Sequence, residues 1–308
     1  MENKKALGHV LAIFTIFIWG TTFISTKILL QAFQPVEILF FRFVMGFILL
    51  WITNPHRLPF KSWKQELTFA GAGLTGMTLY YLMENIALTY SQASNVGVIV
   101  SIAPVFTAIT AHIFLKEEGK LRPAFFMGCV IALIGISLIS FSGTTMHLNP
   151  IGDLLSVGGA IIWSFYSVLS KKIGSFGYSV VQATRRTFFY GILFMIPALF
   201  IFDFKWDLIR FATPAYLFNI FYLGLGASAI CFVTWNMAVR ILGAIKTSVY
   251  IYLAPVVTAV TSVIILHEKI TFLSGLGILL VVGGLLLSEQ KKKFFSIRGR
   301  KQAENVIE

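Results

Sequence analysis

Apolar residues occur in ten long runs along this chain, separated by short polar connections. The runs lie at 8–30, 36–53, 67–90, 93–115, 122–141, 150–171, 178–202, 214–238, 244–266 and 270–288. A helix needs about 20 apolar residues to cross the hydrocarbon core of a bilayer, which is about 30 Å thick. Each run is close to that length, so the pattern predicts an all-α polytopic membrane protein with ten transmembrane helices.

The amino-acid composition strengthens this prediction. Hydrophobic residues make up 57% of the 308 residues and charged residues only 12%, whereas soluble proteins carry about 25% charged residues. This balance excludes a soluble, a disordered or a nucleic-acid-binding protein, because each of these needs more polar surface. Cys129 and Cys231 lie inside apolar runs without CxxC or His neighbours. We therefore expect packing roles for them and no metal or other cofactor.

The basic residues predict how the helices are oriented. Most of the 25 Lys and Arg residues lie at the termini and in alternate connections, and only Lys205, Arg210 and Lys269 fall in the remaining connections. Cytoplasmic connections are the ones enriched in Lys and Arg. We therefore expect a multi-pass protein of the cell membrane with both termini in the cytoplasm. Its basic tail, 289–308, should lie against anionic headgroups.

The two halves of the chain repeat one another. Trp19, Lys27 and Arg42 recur 144 residues later as Trp163, Lys171 and Arg186. Further matches, 151 or 149 residues apart, pair Gly73, Asn85, Pro104, Gly128 and Gly135 with Gly224, Asn236, Pro255, Gly277 and Gly284. A series of matches in the same order indicates a duplicated module, with repeats at 8–141 and 150–288.

The number of spans in each repeat determines how the repeats are related. Five helices per repeat is an odd number, so the second copy must enter the membrane in the opposite orientation. Inverted repeats are typical of alternating-access transporters, which bind a solute near the bilayer midplane between the repeats. The expected fold is therefore ten transmembrane helices as two inverted five-helix repeats. The glycines of the fifth and tenth helices should pack these two helices together, away from the solute.

Short motifs in both halves resemble those of a known family. They read FIWG at 17–20, NIALTYSQAS at 85–94, APVF at 103–106, LKE at 115–117, NMA at 236–238, LAPV at 253–256 and LHE at 266–268. These motifs resemble the EamA-type module of the drug/metabolite transporter superfamily, and the resemblance extends over 8–288. It implies ten helices and a secondary carrier of a kind that often exports amino acids or related metabolites. The motifs are structural, so they indicate the family and not the substrate.

Charged residues inside predicted spans are costly and therefore indicate function. Arg42 and Glu84 each lie about six residues, or ~9 Å, inside the outer ends of their helices, which places a salt bridge within reach. Glu84 is also a candidate proton carrier, a role that a permanent pair with Arg42 would oppose. Arg186, the repeat counterpart of Arg42, lies toward the cytoplasmic side. Either arginine could instead tie helices together or extend toward the headgroups.

Aromatic and hydroxyl side chains share helix faces near the middle of several spans. We predict a central solute-binding cavity lined by Trp19, Phe23, Arg42, Tyr80, Tyr81, Glu84, Trp163, Tyr166 and Trp235. The alternative for the aromatic residues is a packing or interfacial role. Pro104 and Pro255 lie near the middle of the fourth and ninth helices. They are candidate hinges, and static kinks are the alternative.

The remaining motifs favour a carrier over an enzyme. Ser228 and His267 form a weak catalytic candidate, because a nucleophile must hydrogen-bond its base and these two lie at different depths. The sequence contains no HExxH, Walker or Rossmann motif. We predict a secondary transporter of the plasma membrane that exports an amino acid or related solute by alternating access. Proton coupling through Glu84 is left open. Uptake of an organic cation or nutrient is the alternative, and an intramembrane enzyme is a distant one.

Overall fold

The computed structural model describes residues 2–91, 93–115, 123–141, 149–202, 204–266 and 272–289, and every regular element in these ranges is helical. The helical segments are α1 (Glu2–Leu29), α2 (Pro35–Thr53), α3 (63–90), α4 (93–114), α5 (Pro123–Phe141), α6 (Pro150–Gly174), α7 (Val180–Ile201), α8 (214–242), α9 (244–266) and α10 (Phe272–Glu289). Each predicted run coincides with one of these segments, and α1, which begins at Glu2 instead of residue 8, differs most. Apart from Glu289, the predicted tail lies outside the described residues.

Several of these helices can cross a membrane. Six stretches of the described chain are long and apolar enough, namely Asn3–Leu29, Pro35–Thr53, Val96–Phe114, Pro150–Gly174, Val180–Ile201 and Pro214–Leu242. Three shorter apolar helices are Pro123–Leu138, Ala244–Val257 and Gly275–Ser288. The protein is therefore a helical membrane protein with at least six candidate spans.

Local sequence determines where the helices begin and end. Pro35 occupies the first position of α2, and the Glu37 carboxylate accepts a hydrogen bond from the Gln34 backbone N–H at 2.7 Å. Before α6, the Asn149 side chain caps the exposed N–H groups of the first turn, and Pro150 follows it. These residues satisfy or remove donors that a helix start leaves without partners. Gly243, with φ of +96°, separates α8 from α9 because a left-handed backbone favours glycine.

The first and sixth helices, which begin the two predicted repeats, run in opposite directions. Gly8 near the start of α1 packs against Leu242 at the end of α8. Lys27 near the end of α1 donates to the Ser91 carbonyl after α3, and Gly152 at the start of α6 also packs against Ser91. We call the end of the bundle where α1 begins the first end, and the end where α1 stops the second end. The sixth helix begins at the second end.

Helices α5 and α10 pack against each other along their glycines, as the sequence predicted. A Cβ atom at Gly128 would lie 2.5 Å from the Gly284 carbonyl oxygen, and one at Gly135 would lie 2.6 Å from the Gly277 carbonyl oxygen. The earlier glycine of α5 therefore meets the later glycine of α10, so the two helices are antiparallel. Any side chain at these positions would force the backbones apart.

The two halves also pack directly against each other through glycines. Gly46 of α2 lies against the Gly224 carbonyl of α8, and Gly73 of α3 lies against the Gly191 backbone of α7. Since α2 corresponds to α7 and α3 to α8 in the repeat, the two contacts are equivalent. The two halves thus pack against each other through their second and third helices.

The third helix of each repeat contains a π-helical stretch at a corresponding position. These stretches are Leu74–Leu79 in α3 and Tyr222–Ile230 in α8. A π-helix adds a residue to the turn and rotates the side chains that follow it, and such stretches often occur at functional sites. Neither π-helical stretch was predicted from the sequence.

The two helices that contain Pro104 and Pro255 are interrupted, which corrects the expectation of continuous, kinked helices. The fourth helix ends at Val100 and restarts at Ala103, so Pro104 lies in a first turn, where no N–H bond is needed. The ninth helix consists of Ala244–Ser248, the 3-10 turn Val249–Tyr252 and Leu253–Leu266, with Pro255 near the start of the last piece.

Candidate functional site

A cluster of aromatic rings lies where helices from both halves meet. The ring centre of Trp19 on α1 is 5.4 Å from that of Trp163 on α6 and 5.0 Å from that of Trp235 on α8. Trp163 also contacts Tyr80 of α3 at 4.8 Å. Edge and tilted contacts at these distances are the preferred ring arrangements. The predicted aromatic positions therefore converge near the middle of the bundle.

A cavity lies beside this cluster, with a volume of about 520 Å³ that includes space open to solvent. Six of the residues predicted from the sequence line it, namely Trp19, Phe23, Tyr80, Tyr81, Glu84 and Trp163. They come from the first, third and sixth helices. The part of the wall that was predicted from the sequence is thus aromatic, apart from one carboxyl group.

Ile16 and Thr22 of α1 also line the cavity, and the fourth and ninth helices contribute residues that the sequence analysis missed. These are Gly97, Val100 and Ser101 of α4, and Ile251 and Ala254 of α9. All of them lie next to the interruptions that precede the two prolines. The paired prolines were the signal that could have identified them, because an interrupted helix places its backbone and small side chains at a cavity wall.

Three predicted residues lie outside this lining. Trp235 has 0% exposure and packs behind Trp19. Tyr166 lines a second pocket of about 350 Å³ at the first end, together with Ser170 and Asn236. Arg42 also has 0% exposure, and it is covered by a ring of the cavity wall.

Asn236 is the centre of a hydrogen-bond network at this second pocket. Its side-chain oxygen accepts hydrogen bonds from the hydroxyls of Tyr166 and Ser170, both at 2.7 Å. Its amide nitrogen donates to the Thr184 hydroxyl at 3.0 Å. One side chain of α8 is therefore bonded to α6 and α7. The sequence analysis identified Asn236 as the repeat counterpart of Asn85 and as one of the mid-span polar residues, but it did not predict this network.

The expected Arg42–Glu84 salt bridge is not among the ion pairs of the described residues. The carbon at the centre of the Arg42 guanidinium lies 4.4 Å from the centre of the Tyr81 ring, and its Nε donates to the Ser228 hydroxyl at 3.0 Å. Glu84 is 4% exposed and lies next to the Tyr80 hydroxyl. The Tyr81 ring thus covers the guanidinium, and the two charges face different neighbours.

Arg186 ties helices together, which is the alternative role that the sequence analysis gave for it. Its Nη2 and Nε donate to the two oxygens of Glu66 at 2.8 and 3.1 Å, and the Tyr190 hydroxyl donates to the same carboxylate. Arg185 beside it donates to the backbone carbonyls of Asn54 and His56. These bonds tie the start of α7 to α3 and to the connection after α2.

A second ion pair lies at the second end of the bundle. The buried Glu37 carboxylate receives two hydrogen bonds from Arg210, each of 2.9 Å. These bonds hold the pKa of the Arg210 guanidinium above its usual range. Arg210 also lies over the Phe33 ring at 4.3 Å. The connection between α7 and α8 is thereby fixed to the start of α2.

A metal-binding group is absent from the described residues, and only one member of the catalytic candidate lies within them. Ser228 accepts its hydrogen bond from Arg42, and its candidate partner His267 lies outside the described residues. No three His, Cys, Asp or Glu side chains within the described ranges are placed to hold a metal ion. Cys129 and Cys231 are buried and unbonded to each other.

Comparison with known proteins connects this architecture to transporters. The model of the EamA-like transporter family matches residues 6–141 and 150–289. A protein of Archaeoglobus fulgidus named as an uncharacterized transporter is 28% identical over 94% of this chain and 99% of its own. A probable terminal-alkyne amino-acid exporter of Streptantibioticus cattleyicolor is 24% identical over 94% of this chain and 95% of its own. One crystal structure matches with a TM-score of 0.74 at 20% identity, covering 92% of this chain and 96% of that one. At that identity the match shows the fold alone.

Proposed function

The chain belongs to the EamA-like transporter family, and from this premise we propose that it is a secondary transporter which moves a small organic solute across the cell membrane by alternating access. The observation that carries the proposal is the aromatic cavity between the halves, with Trp19 from the first half and Trp163 from the second. Its volume of about 520 Å³ lies in the range of small-molecule sites, about 300–1,000 Å³.

The proposed membrane arrangement has ten transmembrane helices in two inverted five-helix repeats. The opposite directions of α1 and α6, and the antiparallel contact of α5 and α10, support it. The excess of basic residues at the first end supports a cytoplasmic location for that end and for both termini. Rocking of the halves would then expose the cavity to each side in turn, with the interruptions at Pro104 and Pro255 as hinges.

The proposed substrate is an amino acid or a related metabolite, and the proposed direction is export. The relative named as a probable amino-acid exporter supports this choice. The aromatic walls would hold the apolar part of the solute, and Glu84 would meet its ammonium group or carry a coupling proton. Uptake of an organic cation is the second candidate, because aromatic faces and one carboxylate also suit a cation.

Glu84→Gln tests the coupling role. Because Glu84 has no ion-pair partner in the described residues, it is free to bind and release a proton during the cycle. In liposomes with the purified variant, counterflow of a labelled amino acid should persist while accumulation driven by a pH gradient is lost. Asp207→Asn, which changes an acid whose side chain is 51% exposed, is the matched control and should retain both activities.

Three outcomes would change the proposal. Unchanged accumulation by Glu84→Gln would remove this residue from coupling. Loss of counterflow as well would assign it to solute binding. Wild-type protein that carries quaternary amines and no amino acid would favour the second candidate.

A further inference from the structure

Arg42 is a buried cation whose hydrogen-bonding capacity is mostly unused. It has 0% exposure, and its Nε is fixed by the Ser228 hydroxyl at 3.0 Å. Its Nη1 and Nη2 atoms, by contrast, have no hydrogen-bond partner in the described residues. The guanidinium thus keeps one anchored nitrogen and two unbonded ones inside the protein.

A buried guanidinium with two unbonded nitrogens is energetically unfavourable, and a ligand that bonds to them would offset this cost. Removing a charge from water is costly unless an opposite charge and hydrogen bonds replace the water. The Tyr81 ring at 4.4 Å and the Phe43 ring at 5.4 Å offset part of that cost through their π-faces. Neither ring can accept the in-plane hydrogen bonds of the two Nη groups.

The Tyr81 side chain contacts both this cation and the cavity. Its ring centre lies 4.4 Å from the central carbon of the guanidinium, and the residue lines the cavity together with Glu84. Rotation of this one side chain would open the Nη atoms to a solute in the cavity. A carboxylate matches the two parallel donors of a guanidinium, which bind it in a bidentate manner.

We propose that Arg42 is the anion-binding group of the solute site and that Tyr81 is the side chain that admits the anion to it. This inference rests on the proposed transport function and narrows its substrate class to solutes that carry a carboxylate. The Ser228 hydroxyl positions the guanidinium from the second half of the chain. Glu84, in the same wall, then faces the ammonium group of a zwitterionic solute, which makes α-amino acids the matching class.

Benzoate and benzamide test the anion site without relying on transport. The two compounds have nearly the same shape, and only benzoate is charged. Benzoate should raise the melting temperature of the purified wild-type protein more than benzamide does. Arg42→Gln should lose this difference, whereas Arg186→Gln, at the paired arginine, should retain it. Equal shifts by the two compounds in the wild type would overturn the inference.

A matched pair of amino-acid probes tests the substrate class. Binding of L-leucine and L-leucinamide can be followed by tryptophan fluorescence, because Trp19 and Trp163 line the cavity. Arg42→Gln should weaken L-leucine binding at least about tenfold, or about 1.4 kcal/mol, and change L-leucinamide binding little. Equal losses for both probes would contradict anion recognition by Arg42.

Two further variants keep the test decisive if Arg42→Gln fails to fold. Arg42→Lys retains the charge without the planar fork, so L-leucine binding should weaken while the preference over L-leucinamide persists. Ser228→Ala should weaken L-leucine binding alone, because it releases the anchor of Nε.

A protein that prefers benzoate through Arg42 and transports no amino acid would support the anion site and contradict the amino-acid substrate. Transport of amino acids without any Arg42-dependent preference for benzoate would contradict the anion site and support the amino-acid substrate.

Discussion

Arg42 and Arg186 occupy equivalent positions in the two halves, 144 residues apart, and their surroundings differ completely. Arg186 forms two hydrogen bonds with Glu66 and keeps 28% of its side chain exposed. Arg42 is fully buried, and only its Nε is hydrogen-bonded in the described structure. Of these two matching cations, the one in the second half forms a structural ion pair, and the one in the first half has two nitrogens without a hydrogen-bond partner in the described structure.

The paired asparagines differ in the same direction. Asn236 in the second half has both ends of its amide bonded. Asn85 in the first half donates to the Pro35 carbonyl at 3.1 Å, and its buried side-chain oxygen has no hydrogen-bond partner in the described structure. In both pairs the second-half copy is hydrogen-bonded through both ends of its polar group or through a bidentate ion pair, whereas the first-half copy has buried polar atoms without a partner in the described structure. Incomplete bonding is what a site needs if its polar groups are to bind a solute.

The largest effect is expected from removing the acid that pairs with Arg186. Glu66→Ala should lower the free energy of unfolding by about 3 kcal/mol, at the low end for a buried pair because Arg186 is partly exposed. Unfolding by sodium dodecyl sulfate in mixed micelles measures this change. Glu66→Gln, which keeps the shape and a hydrogen-bond acceptor, is the control and should cost less. If Glu66→Ala is as stable as the wild type, the Arg186–Glu66 ion pair does not stabilise the protein. Arg186 would then not differ from Arg42 in having a structural role.

A smaller effect is expected at the asparagines. Asn236→Ala leaves the hydroxyls of Tyr166, Ser170 and Thr184 without their partner, so the free energy of unfolding should fall by about 2 kcal/mol. Asn85→Ala removes one hydrogen bond together with an unbonded oxygen, so the fall should stay below about 1 kcal/mol. The same unfolding assay compares the two variants. Equal losses would show that the halves are alike in their polar packing.

The contrast between the two arginines could be predicted from the sequence only in part. Helix positions, the repeat and the glycine contact of α5 with α10 follow from hydrophobic length and from spacing, because both are properties of a regular helix. The partner of Arg186 was missed because Glu66 lies one residue before the predicted run 67–90.

The prediction of a contact between Arg42 and Glu84 was wrong for a different reason. Depth along the membrane places two residues at one height but does not give the direction in which each side chain points. The π-helical stretch Leu74–Leu79, which immediately precedes Tyr80 and Tyr81, rotates the rest of α3 relative to a regular helix. A regular period of 3.6 residues therefore cannot predict that the Tyr81 ring, and not the Glu84 carboxylate, lies against Arg42.

The smallest effect concerns the paired lysines near the end of α1 and of α6. Lys27 donates to the carbonyls of Leu88 and Ser91 at the end of α3, while Lys171 makes one longer contact, 3.4 Å, with the Arg240 carbonyl at the end of α8. A cation near the last carbonyls of a helix stabilises it by about 0.3–1 kcal/mol. Lys27→Met should therefore lower the free energy of unfolding by about 0.5 kcal/mol and Lys171→Met by less, since its bond is longer and exposed.

The lysines reverse the pattern of the arginines and asparagines, because here the first-half copy is the better bonded. If Lys171→Met proves the more destabilising, the second half is the more firmly bonded at all three pairs. The looser bonding of the first half would then extend beyond Arg42 and Asn85.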